Sequence, residues 1–359
     1  MTSALNSHFG FALQTAKGTP NVTDTAYHYQ FFSEGTGIEP EPMYLPLDQE
    51  IGSGQLIRDV KAVGVVGRGQ FRFIPRPNFL GYLLLGALGQ VTNTAPTGQL
   101  TTATHLFDFQ ANQFNLPYFT MRRRISAGNF GDIVPDCRIE TLQIEAKAAN
   151  FVRGTCSVLG AGMPSITNTP DAWNAATYLD ASDPFLTCKG TVELPTGTGL
   201  TLLEASITMA NQMPLDEQMV IGHYTPDDIE VVMRSITVQF TAKVKDISLY
   251  QKMKYGQTGS GSITYPASWL PNVYREAALN LTFQSEREND PGVPSSITIA
   301  ANGSSGANSN IAWSCQPIGL RGNNQVVLSF SGTVLADNTA AAAGPFSVTL
   351  HNTKTSYAT

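Results

Sequence analysis

Residues 68–88 read RGQFRFIPRPNFLGYLLLGAL and place an alternating segment directly before an apolar one. In the first part, Phe71 and Phe73 alternate with polar residues, which is the period of a half-buried β-strand. Two prolines interrupt that pattern, and the apolar run Asn78–Leu88 then has the length of a short helix. The stretch therefore predicts a strand that leads into one helix.

The same order of segments recurs in the second half of the chain. Arg234 opens the alternating segment RSITVQF, as Arg68 opens RGQFRFI 166 residues earlier. The motif LDEQ at 215–218 follows LDQE at 47–50 at the similar offset of 168. A second helix is predicted at Asp246–Tyr255, with Asp246 as its N-cap and Gly256 after its end. The common order and near-constant offset predict an internal duplication.

Alternating segments continue along the whole chain, at 142–146, 278–283, 297–299 and 326–330, and Gly, Pro, Asn and Ser separate them. The predicted class is mainly β, with two tandem β-sandwich or barrel lobes, each flanked by one short helix. Residues 163–184 are rich in Pro, Thr, Asn and Ala and lack periodicity, so they are predicted to be a linker. Lobe 1 then covers 1–162 and lobe 2 covers 185–359.

A second irregular stretch lies near the N-terminus, where residues 32–47 predict a long extended loop or arm. Because the region before residue 47 is irregular, we expect that it contributes little to a core and that its removal leaves both lobes folded. Its predicted role is contact with a neighbouring assembly, and the candidate residues are Phe32, Gly35, Pro40, Pro42 and Pro46.

Composition limits the classes of function. Charged residues make up 14% of the chain, against a usual value of about 25%, and such neutral surfaces favour burial against other subunits. A formal net charge of −6 disfavours tight binding of nucleic acid. No apolar run reaches the roughly 18 residues of a membrane span, and the N-terminus lacks the features of a signal peptide, so we expect synthesis in the cytoplasm.

Motifs of catalysis and cofactor binding are missing from the sequence. It contains no P-loop, no GxGxxG after a strand, no GxSxG and no HExxH, and its five histidines are scattered without ligand spacing. The adjacent Asp227 and Asp228 are a poor catalytic dyad, because neighbouring side chains of a strand point to opposite faces. The four cysteines are expected to be buried thiols. We therefore predict a protein that is not an enzyme and holds no cofactor or metal.

Residues 122–124 form the one basic cluster, and Arg122, Arg123 and Arg124 have two interpretations. They are either a solvated strand or loop, or a contact with a carboxylate-rich neighbour, since guanidinium groups suit bidentate partners. Because no aromatic residues are interleaved as in single-strand-binding sites, a subunit-interface salt bridge is favoured over a nucleic-acid site.

The chain resembles the major tail tube proteins of phages with long, non-contractile tails. The resemblance rests on GFALQTAKGTP at 10–20, a Gly-rich strand within 47–64, the apolar helix at 80–85, and DCRIETLQIE at 136–145. It covers most of lobe 1, and lobe 2 looks like a diverged second copy without the opening arm.

The resemblance implies a β-sandwich or barrel with one helix, whose copies form rings that stack into a hollow tube. Two lobes per chain would let three chains supply six units, so the expected assembly is a trimeric ring of the virion tail through which DNA is ejected. The implied partners are further copies of the chain, a tape-measure protein, a tail terminator and tail-tip proteins. Candidate lumen acids are Glu140, Glu145 and Glu286. The alternative is another virion or surface β-sandwich module, for capsid decoration or carbohydrate binding.

Overall fold

The computed structural model describes residues 7–23, 26–47, 57, 59–109, 116–125, 130–168, 173, 180–193, 201–215, 217–243, 250–251, 274–276, 278–302, 311–316, 327–335 and 346–357. The described residues are mainly β-strand, which confirms the predicted class. Of the predicted second helix, only Tyr250 and Gln251 are described, and both are helical; the rest of it lies outside the described residues.

The first half contains β1 (His8–Leu13), β2 (His28–Gln30), β3 (Glu34–Gly35), β4 (Glu39–Pro46), β5 (Val60–Phe73), α1 (Pro77–Leu88), β6 (Gly89–Thr94), β7 (Ala103–Phe109), β8 (Phe119–Ile125), β9 (Phe130–Lys147), β10 (Arg153–Gly160) and β11 (Ser165–Thr167). The second half contains β12 (Phe185–Glu193), β13 (Thr201–Gln212), β14 (Met233–Lys243), β15 (Tyr274–Glu276), β16 (Ala278–Asp290), β17 (Val293–Asn302), β18 (Ile311–Cys315), β19 (Val327–Val334) and β20 (Ser347–Asn352).

These strands form a large sheet and a small sheet. The large sheet runs β15-β18-β19-β14-β13-β9-β10-β5-β3, with β4 also on β5 and with β8, β1, β2 and β11 attached beside β9. The small sheet runs β12-β16-β17-β20-β7-β6. Both sheets cross from the first half to the second, at β9–β13 in the large sheet and at β7–β20 in the small sheet. The two halves therefore share their sheets, and the lobe boundaries at 162 and 185 stay a prediction.

The helix α1 is buried within the molecule and contacts strands of both sheets. It begins with Pro77, whose missing N–H needs no partner in a first turn. The Phe79 N–H donates to Asp180 Oδ2 at 2.8 Å, so a carboxylate from the predicted linker caps the helix and complements its dipole. Gly89 ends the helix with φ 94°, the left-handed conformation that glycine adopts without strain.

The N-terminal region belongs to the core, contrary to our expectation from sequence. Strand β1 pairs with β8, and Phe9 and Phe11 are fully buried against other aromatic rings. Tyr27 and Tyr29 are buried as well. The expectation that residues before 47 contribute little to a core is therefore wrong, and their removal is now expected to expose this core. The alternating pattern of β1 is too short to stand out from its irregular surroundings.

The stretch 32–47 also differs from its prediction, since it forms β3 and β4 along the outer side of β5 instead of a loop. Of the four cysteines, Cys137 and Cys156 are buried as expected, and burial raises the pKa of both thiols. Cys315 is half-buried, and Cys188 is exposed, which makes its prediction wrong. No helix among the described residues is long and apolar enough to cross a membrane.

Candidate functional site

One face of the large sheet is polar across both halves of the chain. In β9 the buried Leu142 and Ile144 alternate with Thr141, Gln143 and Glu145, which point away from the core. The pattern continues on the neighbouring strands, and its members are Thr155, Ser157, Ser206, Thr208, Ser235, Thr237, Gln239, Ser329 and Ser331. Gln143 Nε2 donates to Ser206 Oγ at 2.9 Å across the junction of the halves. The result is one continuous surface of hydroxyl and amide groups.

The β4–β5 ribbon (residues 39–47 and 59–66) extends from one end of this sheet. The outermost described residues of β5, Val60 to Val63, are all exposed, so neither face of the strand is covered there. At about 3.3 Å per residue they extend the strand by about 13 Å beyond its packed part. Tyr44 and Leu45 on the paired strand are 64% and 60% exposed. An apolar segment that projects in this way is typical of an interaction site.

The outer edge of β4 lacks N–H donors at most positions. The Leu47 N–H donates to Asp59 O at 2.9 Å, so odd-numbered residues of this strand face β5 and even-numbered residues face outward. Three of the four even positions are Pro40, Pro42 and Pro46. Proline at the outward positions of an edge strand prevents another strand from pairing there.

The basic cluster is held inside the chain. Arg122 is 3% exposed, and its guanidinium carbon lies 3.4 Å from the ring centroid of Tyr27 and 4.8 Å from that of Trp173. Arg123 contacts Asp132 Oδ2 at 2.6 Å and Glu39 Oε2 at 2.9 Å. Arg124 Nη1 donates to Trp173 O at 3.4 Å. These contacts fix Trp173 and the start of β4, and a subunit-interface salt bridge by the cluster stays a prediction.

The family of this chain follows from its match to a protein-family model. A model of the family described as "Phage tail tube protein" matches residues 47–334, which is most of the chain. This chain belongs to the phage tail tube protein family. No curated protein matches the chain. The tail tube protein is thus a structural component of a phage virion tail, as the resemblance in lobe 1 implied.

The predicted site residues of the tail tube protein do not form one surface. Phe32 is half-buried, with its ring centroid 5.5 Å from that of Phe9. Gly35 has a φ of 125° and lies close to the backbone of β5. The three prolines lie at the outward positions of β4, and Gly35 lies exposed on the edge strand β3. Glu140 and Glu145 lie on β9, where Glu145 stands opposite Arg153, whereas Glu286 is exposed on β16 of the small sheet. The acids of β9 and Glu286 thus lie on different sheets, and the role of all three as lumen acids stays a prediction.

Sequence reasoning missed a buried polar network that positions the segment 213–233 of the tail tube protein. Arg138 is 4% exposed, lies 4.0 Å from the ring centroid of Tyr118 and donates to Ile229 O. The Tyr118 hydroxyl donates to Asp228 at 2.8 Å; burial raises the pKa of Tyr118, and this hydrogen bond raises it further. Lys17 approaches the same carboxylate at 3.9 Å. Asp228, one of the two adjacent acids that make a poor catalytic dyad, is thus a hydrogen-bond acceptor in this network.

A cleft of about 530 Å³ opens beside the start of α1. His28 Nε2 lies 2.6 Å from the Tyr82 hydroxyl, and burial together with the nearby Lys354 lowers the pKa of His28 to about 4. Among the described residues, no group of three or more His, Cys, Asp or Glu side chains is placed to hold a metal ion.

Proposed function

We propose that this chain is the wall-forming subunit of a tail tube. Copies join side by side into rings of three chains, and the rings stack into a hollow tube through which DNA leaves the capsid. The observation that carries this proposal is the order of strands in the large sheet, which repeats from one half to the other.

The repeat concerns four strands of each half. In the first half the order is β4-β5-β10-β9, and in the second it is β13-β14-β19-β18, with every pair antiparallel. The buried Phe73 stands opposite Gly154, and the buried Phe240 stands opposite Phe330. Phe73 and Phe240 are 167 residues apart. An alignment at the sequence offset of 166 would instead match the buried Phe73 with a residue of β14 that points to the opposite face. The equal order supports an origin by duplication.

The junction between the halves suggests how chains join. Strand β13 pairs with β9 over seven residue pairs, from Glu204–Lys147 to Ala210–Thr141. The outermost strand of the second half is β15, which pairs with residues 311–313 of β18. If this edge of one copy meets the first half of the next, three chains close a ring of six similar units. Such closure removes the open edges of the sheet, which otherwise invite uncontrolled pairing.

The outer edge of the first half fits this arrangement. Along β5, the segment 33–39 occupies the place that the β9-paired part of β13 occupies along β14. The outward prolines begin at Pro40, just beyond that segment. The edge is therefore exposed at residues 33–36, where a neighbour is expected, and lacks most outward N–H groups from Pro40 on, where none is expected.

The polar face is proposed to line the bore, with Glu140 and Glu145 as its acids. Hydroxyl and amide groups bind phosphate weakly, and repulsion by the acids acts over about 8 Å at physiological salt. DNA can then slide without adhering to the wall. A tape-measure protein, a tail terminator and tail-tip proteins are the expected partners of the tube.

Negative-stain microscopy and native mass spectrometry of the purified chain test the proposal. We expect rings and tubes from the wild type, and folded monomers from Glu34→Pro, which places a proline in the exposed edge segment. The matched control Glu34→Gln keeps the N–H and should form rings. A wild-type chain that remains a monomer or a small closed oligomer would favour the alternative of a capsid-decoration or carbohydrate-binding module.

A further inference from the structure

We propose that residues 353–357 form a latch, which closes over the start of α1 at neutral pH and detaches in acid when the imidazole of His28 takes up a proton. The latch follows β20 of the second half, whereas α1 and His28 belong to the first half. The proposal thus concerns a contact within one chain, and it does not depend on the assembly of a tube.

Tyr357 anchors the latch. Its side chain is 2% exposed, and its hydroxyl donates to Asn78 O at 2.9 Å, in the first turn of α1. Beside it, Asn352 Nδ2 donates to Pro77 O at 2.9 Å. The ring of Tyr357 lies against Gly81, where a Cβ atom would overlap the ring. Only glycine therefore leaves room for the ring on this face of the helix.

The middle of the latch is held by side chains of the first half. His105 Nε2 donates to the Lys354 carbonyl at 2.8 Å, and Asn93 Nδ2 donates to Ser356 Oγ at 3.3 Å. Ser356 is exposed, so the longer of these two bonds lies at the surface. Few groups attach the latch, and this suits a segment that opens while the sheets stay folded.

His28 lies close to the latch and is neutral at pH 7. Its ring stacks on that of Tyr82 with 4.2 Å between the centroids, and its Nε2 lies 2.6 Å from the Tyr82 hydroxyl. The Lys354 ammonium lies 4.9 Å from the centroid of the same Tyr82 ring. Burial, together with this ammonium, lowers the pKa of His28 to about 4. A proton on His28 therefore adds a buried positive charge near that of Lys354.

Other charged and titratable groups around His28 do not remove this conflict. The groups that line the same cleft are Tyr29, Asp180, Asp183, Arg287 and Glu288. The Asp180 carboxylate raises the pKa of His28, but burial and Lys354 lower it by more. Burial also lowers the pKa of His105, which is bonded to the latch, and of His351, which precedes it. Protonation of any of these three imidazoles works against the closed latch.

The direction of the pH dependence follows from the two states of His28. Opening removes Lys354 and admits water, which returns the pKa of His28 from about 4 to its ordinary value of 6.5. The closed latch is therefore most stable above about pH 6.5, and its stability falls as the pH is lowered toward 4. The equilibrium constant for closure should decrease about 100-fold between pH 7 and pH 4.

Release of the latch has a structural consequence beside α1. Thr353 and Lys354 form one side of the cleft of about 530 Å³, so their departure widens its entrance. It also frees the start of α1 from the second half, because the bonds of Tyr357 to the helix are lost. Acid thus opens the cleft without separating the strands of either sheet.

Hydrogen–deuterium exchange of the full chain at pH 7, 5 and 4, with detection by mass spectrometry, tests the latch. The Lys354 N–H donates to Asn352 Oδ1 at 3.0 Å and reports on closure. We expect its protection factor to fall about 100-fold from pH 7 to pH 4, while peptides of β9 keep theirs. His28→Gln keeps a polar group near Tyr82 that does not titrate, so most of this dependence on pH should disappear. His223→Gln makes the same change at an exposed position and should behave as the wild type.

Lys354→Met gives a second, independent result. It keeps the length of the side chain and removes the charge that acts on His28, so the loss of protection between pH 7 and pH 4 should be smaller than in the wild type. Wild-type pH dependence in His28→Gln would contradict the role assigned to this imidazole. Loss of protection in β9 at the same pH as in the latch would show global unfolding, and this would also overturn the proposal.

Discussion

The two halves of the large sheet share an order of strands and differ in what is attached to it. In the first half, β5 continues into the exposed ribbon, and β1, β2 and β8 add an aromatic layer beside β9. In the second half, β14 does not extend beyond its partner β13. Strand β13 pairs with β14 in the position that β3 and β4 take on β5. We infer that the shared strands build the wall of a ring, whereas the additions to the first half supply contacts between rings.

The largest effect is expected where the two halves meet. Ile207 is 2% exposed in β13 and stands opposite Ile144, so Ile207→Asp buries an unpaired charge in the core common to both halves. We expect a loss of at least about 4 kcal/mol in the free energy of unfolding, measured in urea or as loss of soluble protein. The neighbouring Thr208→Asp points to the polar face and should stay within about 0.5 kcal/mol. Equal losses of stability in the two variants would contradict the assignment of Ile207 to the core and of Thr208 to the polar face.

The aromatic layer of the first half is the next test. Phe11 is 1% exposed, with its ring centroid 4.1 Å from that of Phe119. Phe11→Ala should cost about 3–5 kcal/mol, because it leaves a cavity in a packed core. Val22→Ala, at a position that is 85% exposed, is the matched control and should change little. A small loss of stability in Phe11→Ala would mean that the N-terminal region contributes little to the core.

The difference between these two regions also explains what sequence can predict. The strand at 68–73, the helix at 78–88 and the strands at 142–146 and 235–240 were predictable, because their periodicity is local and their side chains face one core. The roles of Phe9 and Phe11 were not, since a short strand shows its burial only through its partner β8. The prolines of β4 predict a loop because proline suggests irregular chain, and only the pairing of β4 with β5 shows that all three occupy positions whose missing N–H would face outward.

A smaller effect concerns the contact between the hairpin turns of the two halves in the small sheet. Asp290 accepts hydrogen bonds from the N–H and hydroxyl groups of Thr101 and Thr102 at 2.6–3.0 Å, and these bonds lower its pKa to about 2. A folded-state pKa below the ordinary 3.8 means that this stabilisation is complete above about pH 4 and is lost as pH falls through about 2.

Asp290→Asn should therefore melt at a lower temperature than the wild type at pH 7. The difference between the two proteins should shrink as the pH is lowered from about 4 to 2. Differential scanning calorimetry across this range measures it. Melting curves that stay parallel at all pH values would show that the carboxylate does not couple the halves.

The smallest effect on stability is expected at the polar face itself. Glu145→Lys changes a half-exposed side chain and should leave the free energy of unfolding within about 0.5 kcal/mol and tubes intact. If this face lines the bore, DNA ejection should become slower, and the slowing should fade at high salt because screening weakens the attraction. The control Glu286→Lys, on the other sheet, should eject DNA at the wild-type rate. An identical effect of both reversals would place the bore elsewhere.

The claim that the two halves are equivalent wall units is tested most directly by the composition of one ring. Cryo-electron microscopy of isolated wild-type rings, together with their native mass, counts both chains and lobes. We expect three chains of 38.6 kDa each, related by three-fold symmetry, with six similar β-lobes around the bore. A ring of six chains, or a three-chain ring in which only three lobes face the bore, would contradict the equivalence of the halves.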